Sequence, residues 1–189
     1  MIRIGILGDI GSGKSYVANS FGYPVFNADH EVTKLYKKDK KIFKKLKKKL
    51  PKYISSFPIN KNEITKAILS NGVNLKKIIN VVHLEIKKAL KLFLKKNKNK
   101  EVVILDIPLL LENKINKKKD ILVFIDARKI DIERKIKKRI NFNRKLFNKF
   151  KKIQYSSKYK KKRSHFVIKN NFTKKSVKIG IKYILNKIL

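Results

Sequence analysis

Gly8, Gly13, Lys14 and Ser15 occupy every fixed position of the pattern G-x-x-x-x-G-K-[ST] in the run Gly8-Asp9-Ile10-Gly11-Ser12-Gly13-Lys14-Ser15. These residue types at this spacing suit the holding of phosphate. Glycines let a loop wrap closely enough for successive backbone N–H groups to point inward at phosphate oxygens. A helix that follows adds free N–H groups and the positive end of its dipole. Lys14 would reach the β- and γ-phosphates, and the Ser15 hydroxyl would ligate Mg²⁺. The context fits: Ile2, Ile4, Ile6 and Leu7 read as a buried strand before the loop, and Tyr16 to Phe21 can continue as a helix after it. The expected ligand is a nucleoside triphosphate.

Two carboxylates come next. Asp29, in Asn27-Ala28-Asp29, directly follows a short apolar run, so it belongs at the strand edge that carries the phosphate loop. There it can accept the proton of an attacking hydroxyl. It can equally cap a helix from His30, since Asp is a favoured cap, and both readings stand. Asp106 ends the apolar run Val102-Val103-Ile104-Leu105 and opens Asp106-Ile107-Pro108-Leu109-Leu110-Leu111-Glu112. A carboxylate in that place holds Mg²⁺ or its water shell in phosphoryl-transfer enzymes; a polar turn is the plainer alternative.

The elements that must position these groups alternate. Besides the first strand, Pro24-Val25-Phe26, Val102 to Leu105 and Ile121 to Ile125 read as parallel core strands, with Phe166-Val167-Ile168 a weaker candidate. Helices are expected over Glu31 to Tyr36, Lys40 to Leu50, Asn62 to Ser70, Leu75 to Lys96, Ile130 to Arg139 and Ser176 to Leu189. Strands alternating with helices predict an α/β fold with a parallel sheet covered on both faces. The stretch between Asp29 and Lys100 is too long for one crossover helix, so it should be a helical insertion over the sheet's carboxyl edge. Lys117-Lys118-Lys119 and Lys160-Lys161-Lys162-Arg163 are expected to be solvated loops.

At 189 residues the chain is one domain of ordinary size. Its formal charge of +38 is the footprint of a nucleic-acid binder, but only six of the 51 basic residues are Arg. The bidentate Arg fork that reads phosphates and bases is scarce, and the lysines are dispersed through every helix. Solvated lysine is therefore the expectation, with no specific nucleic-acid partner. The absence of Cys excludes disulfides, thiolate metal sites and a cysteine nucleophile. An apolar strand from the second residue leaves no room for a signal peptide, and no apolar run reaches the roughly twenty residues of a membrane span. A soluble, cytoplasmic protein without a membrane partner is expected.

Taken together, these stretches resemble the dephospho-coenzyme A kinase family of P-loop nucleoside/nucleotide kinase-like proteins. The resemblance is carried by Gly11-Ser12-Gly13-Lys14-Ser15, Ala28-Asp29, His83, the intact D-x-P-L-L-x-E run from Asp106 to Glu112, Arg139, Gln154 and Ile168-Lys169-Asn170. It spans nearly the whole chain in order. It implies a three-layer P-loop fold in a single domain, with a core of residues 1–28 and 101–189. A substrate-binding helical insertion at about 29–100 and a lid at about 139–163 complete it. The implied reaction moves the γ-phosphoryl of ATP, with Mg²⁺, to the 3′-hydroxyl of dephospho-coenzyme A, in a monomer or weak homo-oligomer. The resemblance assigns catalysis to Asp29, Lys14 and Arg139, and ATP binding to Gly11, Ser12, Gly13, Lys14, Ser15, Tyr16 and Asn170. It assigns the acceptor to Asp29, His83, Pro108 and Leu109, and the metal to Ser15 and Asp106. The chain departs from the family at Asp9, where Gly is usual, and also at Tyr16, Leu84, Lys135 and Phe150. A carboxylate at position 9 would repel phosphate unless it turned away. Another small P-loop kinase, for a nucleoside monophosphate or a metabolite, and a lysine-rich nucleic-acid-binding NTPase remain as alternatives.

Overall fold

The computed structural model describes residues 1–138 and 142–189; the expected lid residue Arg139 lies outside the described residues. The chain divides into two compact units. One comprises Met1–Asn27, Asn97–Asn143 and Phe150–Leu189, the other Ala28–Lys96 and Arg144–Lys149.

The first unit is built on five parallel strands in the order β2-β3-β1-β4-β5. These are β1 (Ile2–Gly8), β2 (Val25–Asn27), β3 (Val102–Asp106), β4 (Ile121–Asp126) and β5 (Phe166–Lys169). β1 is central, pairing Ile4 with Ile104 on one side and Ile6 with Val123 on the other. The weakest strand candidate is thus a real edge strand, with Ile125 opposite Ile168. Side chains alternate between faces along a strand. Ile4, Ile6, Ile104, Val123, Ile125 and Ile168 share a core with Val17 of α1 (Lys14–Ser20), with Phe21 just after that helix, and with Val177, Ile181 and Ile184 of α9 (Lys174–Ile188). Gly5 faces the other way. A Cβ there would lie 2.6 Å from Leu110 Cδ2, so the glycine admits Leu110 against the sheet. Arg3 joins the central strand to the approach of β4 through Asp120, at 2.9 Å with both side chains largely buried.

The second unit is helical: α2 (Ala28–Lys38), α3 (Lys40–Lys49), α4 (Lys61–Ser70) and α5 (Gly72–Lys96). α5 buries Leu75, Ile78, Val82, Ile86 and Leu90, the three- and four-residue spacing of one helix face. Asp39 caps α3 by accepting from the N–H groups of Lys41 and Ile42 at 2.8 and 3.0 Å. The end of α4 is satisfied from elsewhere: Lys149 Nζ donates to the carbonyls of Ile68 and Leu69 at 2.7 and 3.1 Å.

Between the sheet's fourth and fifth strands lie α6 (Lys129–Lys137), α7 (Arg144–Ile153) and α8 (Ser157–Lys162). The expected solvated loop at Lys160 to Arg163 is therefore wrong. Its first three residues end a helix capped by Ser156, and Lys160 is only 2% exposed. Lysine is solvated by default; here acceptors supplied by the phosphate loop hold it inside. α2 also starts earlier than expected, at Ala28, so Asp29 sits in its first turn and is not its cap.

Candidate active site

The phosphate-loop sequence folds as its glycines dictate. Gly13 takes a left-handed φ of 89° as the N-cap of α1, and no side chain caps this helix. Gly13 brings no side-chain cap and the first turn holds no acidic residue, which suits an anion. The Ser12 N–H donates to the Asp9 carbonyl at 3.1 Å, closing the turn at the loop's centre. Ser12 itself is fully buried, while Ser15 and Tyr16 are exposed on the first turn of α1. Tyr16 thus stands outside the core.

Lys14 Nζ donates to the carbonyls of Asp9 and Gly8 at 2.8 and 3.2 Å, curling over the loop it serves. Asn170 braces the loop from below: its Nδ2 donates to the Ser12 carbonyl at 2.9 Å, and its Oδ1 accepts from the Phe172 N–H. It is both a turn residue and a support for the phosphate loop. Lys135, where Arg is usual, places its ammonium 5.5 Å from the Phe172 ring centre, a cation–π distance.

Asp106 ends β3 beside Asn27 of β2 and is 3% exposed. Asn27 Nδ2 donates to its Oδ2 at 2.7 Å, which orients the carboxylate. The chain then turns sharply, with Leu109 at a φ of +59°. Glu112 accepts the Tyr155 N–H at 2.8 Å, tying this turn to the segment after α7. Lys14, Leu109, Glu112, Gln154 and Lys160 line one small cavity, so motifs far apart in the sequence converge on the phosphate-loop lysine.

Asp29 and His83 belong to the helical unit. Asp29 is exposed, and Thr33 Oγ1 donates to its carbonyl at 2.9 Å. His83, on α5, is half-buried, and its Nε2 is buried without a hydrogen-bond partner among the described residues. Burial first, and then the charge of Lys87, holds its pKa below the ordinary histidine value.

Sequence reasoning missed three residues of the site. Asn27 was legible only as part of its motif, whereas Ser157 and Lys160 meet the loop through Asp9 with no local signal.

The family model described as dephospho-CoA kinase matches residues 2–176, through the loop, the β3 turn and β5. The chain belongs to the dephospho-CoA kinase family. It is 33% identical over 190 residues to the dephospho-CoA kinase of Wolbachia pipientis wMel, covering 98% of this chain and 97% of that one. The dephospho-CoA kinase of Rickettsia felis is 34% identical over 172 residues, covering 89% and 87%. Among solved structures, TT1252 from Thermus thermophilus superposes with a TM-score of 0.77 at 25% identity, covering 100% of this chain and 98% of that one. The dephospho-CoA kinase from Campylobacter jejuni shares the fold, with a TM-score of 0.63 at 19% identity over 98% and 96% of the two chains. The fold is thus that of the P-loop kinases, as expected.

Proposed function

We propose that this family member transfers the γ-phosphoryl group of ATP to the ribose 3′-hydroxyl of dephospho-coenzyme A, giving ADP and coenzyme A. The observation that carries this reading is the convergence of the phosphate loop with the D-x-P-L-L-x-E turn around Lys14. That turn separates this family from other small P-loop kinases.

Phosphoryl transfer asks a protein mainly for positioning and charge. Backbone N–H groups from Gly11 to Ser15 hold the phosphates, and Asn170 keeps the loop in shape through the Ser12 carbonyl. Lys14 leaves its carbonyl partners for phosphate oxygens, and Arg139 adds a second positive charge as the transition state forms. Asp29 orients the acceptor hydroxyl and takes its proton. His83, Pro108 and Leu109 contact the acceptor, within an arrangement of core, helical insertion and lid. Ser15 and Asp106 fit Mg²⁺, being hard oxygen donors at the loop and the β3 end. Two protein ligands suit Mg²⁺, which keeps several waters and takes phosphate oxygens. When bound, the ion neutralises phosphate charge. No helix among the described residues is long and apolar enough to cross a membrane. We place the enzyme in the cytoplasm, as a monomer or weak homo-oligomer without a specific nucleic-acid partner.

The test is ADP release from ATP with dephospho-coenzyme A as acceptor, beside nucleoside monophosphates, shikimate-like alcohols and RNA. Turnover with dephospho-coenzyme A alone is expected. Turnover only with a monophosphate, or ATP hydrolysis stimulated by RNA and steeply lost with salt, would transfer the reading to one of the alternatives. In the same assay Asp29→Asn should lower kcat by roughly 10²–10⁴-fold, the range for loss of a general base.

A further inference from the structure

A lysine ammonium removed from water is costly unless its charge and its donors are met. Lys160 is such a group, with its side chain 3% exposed. Its Nζ donates to Asp9 Oδ1 at 2.9 Å and to the Gly8 carbonyl at 3.2 Å. The other Asp9 oxygen, Oδ2, accepts from Ser157 Oγ at 2.6 Å. One turn of α8 thus takes both oxygens of the carboxylate that interrupts the phosphate loop. The Gly8 carbonyl is shared by two ammonium groups, since Lys14 also lies 3.2 Å from it. Burial pushes the Asp9 carboxyl up. The hydrogen bonds from Ser157 and Lys160 and the charges of Lys160 and Lys14 outweigh burial and hold it below its ordinary value, so it is ionised near neutral pH.

An ionised carboxylate in a loop that receives a polyanion is a liability unless its charge is cancelled and its oxygens are turned aside. We propose that Lys160 is a positioning residue of the nucleotide site. It neutralises Asp9, turns the carboxylate out of the phosphate cradle, and pins the loop's entry through the Gly8 carbonyl. Ser157 fixes the second oxygen. Lys160 acts through the loop: its short contacts are to the Gly8 carbonyl and the Asp9 carboxylate. The two charges are mutually dependent. Lys160 without Asp9 is a buried cation lacking its counter-ion; Asp9 without Lys160 is an anion facing the ligand. The proposal rests on ATP being the ligand of this loop, and it does not depend on the acceptor.

The experiment is direct binding of a fluorescent ATP analogue, with KM and kcat measured alongside. Lys160→Met should weaken ATP binding about tenfold or more and raise KM for ATP, with kcat within about threefold. Lys160→Arg should stay within about threefold of the parent. The double variant Asp9→Gly with Lys160→Met lacks both charges and should recover ATP binding to within about threefold. Asp9→Asn alone should lower the melting temperature without weakening ATP binding. Unchanged ATP affinity in Lys160→Met overturns the proposal, as does a double variant no better than the single one. If Lys160→Met does not fold, the double variant decides: parent-like ATP binding sustains the coupling, and weak binding ends it. Because the binding arm uses no acceptor, a failure with dephospho-coenzyme A leaves this result readable.

Discussion

Leaving β1, the backbone turns left-handed at Gly11 and Gly13, with φ of 88° and 89°; leaving β3, it does so at Leu109, with φ of 59°. Both turns stand at the same edge of the sheet, yet one uses glycine and the other a branched side chain. The neighbours explain the difference. A Cβ at Gly13 would lie 2.6 Å from Asn170 Nδ2, and one at Gly11 would lie 2.7 Å from Ile136. The phosphate loop works through its backbone, and the groups that brace it leave no room for a side chain. The β3 turn works through side chains: Leu109 and Glu112 line the cavity at Lys14, and Leu110 packs on Gly5. There a leucine is kept in the left-handed region, at a strain of about 1–3 kcal/mol. Glycine marks where close neighbours leave no room for a side chain; a strained leucine marks where one is kept.

This contrast can be broken at three strengths. Lys14→Ala removes the side chain proposed to reach the phosphates and leaves the loop's backbone intact. Phosphoryl transfer should fall by at least roughly 10²–10³-fold with an unchanged melting temperature, measured by coupled ADP release and calorimetry. Wild-type-like turnover would show that the loop acts through its backbone alone. Gly13→Ala should act on stability and binding together. Its Cβ meets Asn170 at a positive φ, so a loss of about 1–3 kcal/mol in chemical denaturation and weaker ATP binding are expected. Leu109→Gly should do the reverse, relieving the backbone while losing a partly exposed side chain. Its stability should change by less than about 1 kcal/mol, and KM for dephospho-coenzyme A should rise several-fold. If Leu109→Gly destabilised the protein as much as Gly13→Ala, the distinction between the turns would collapse.

What the sequence disclosed follows the range of the interactions. The β1–loop–α1 unit was legible because strand, glycines, lysine and helix are contiguous, and the D-x-P-L-L-x-E run because its spacing is intact. Even the short β5 was visible from its apolar residues. α7 is less legible: Leu146, Phe147, Phe150 and Ile153 repeat at helical spacing, but none of its residues is buried. Lys160 was not legible at all, since only Asp9, some 151 residues away, makes its burial tolerable. Asp9 looked like a defect in the loop for the same reason. The place of Asp29 in the first turn of α2 depended on a helix start two residues before the one expected, the usual uncertainty at a helix end.

The strand order has a consequence for synthesis. β1 is the central strand, but its partners lie about a hundred residues downstream, Ile2 pairing with Val102 and Ile4 with Ile121. At about 5–20 residues per second, translation needs roughly 5–20 s to bring β3 out behind it. Throughout that interval an apolar strand has emerged with no native neighbour to hydrogen-bond it, while the lysine-rich helices of the insertion are being made. Those helices can close their own hydrogen bonds as they emerge; β1 cannot. The loop after β1 is thus made well before the strands that complete its sheet.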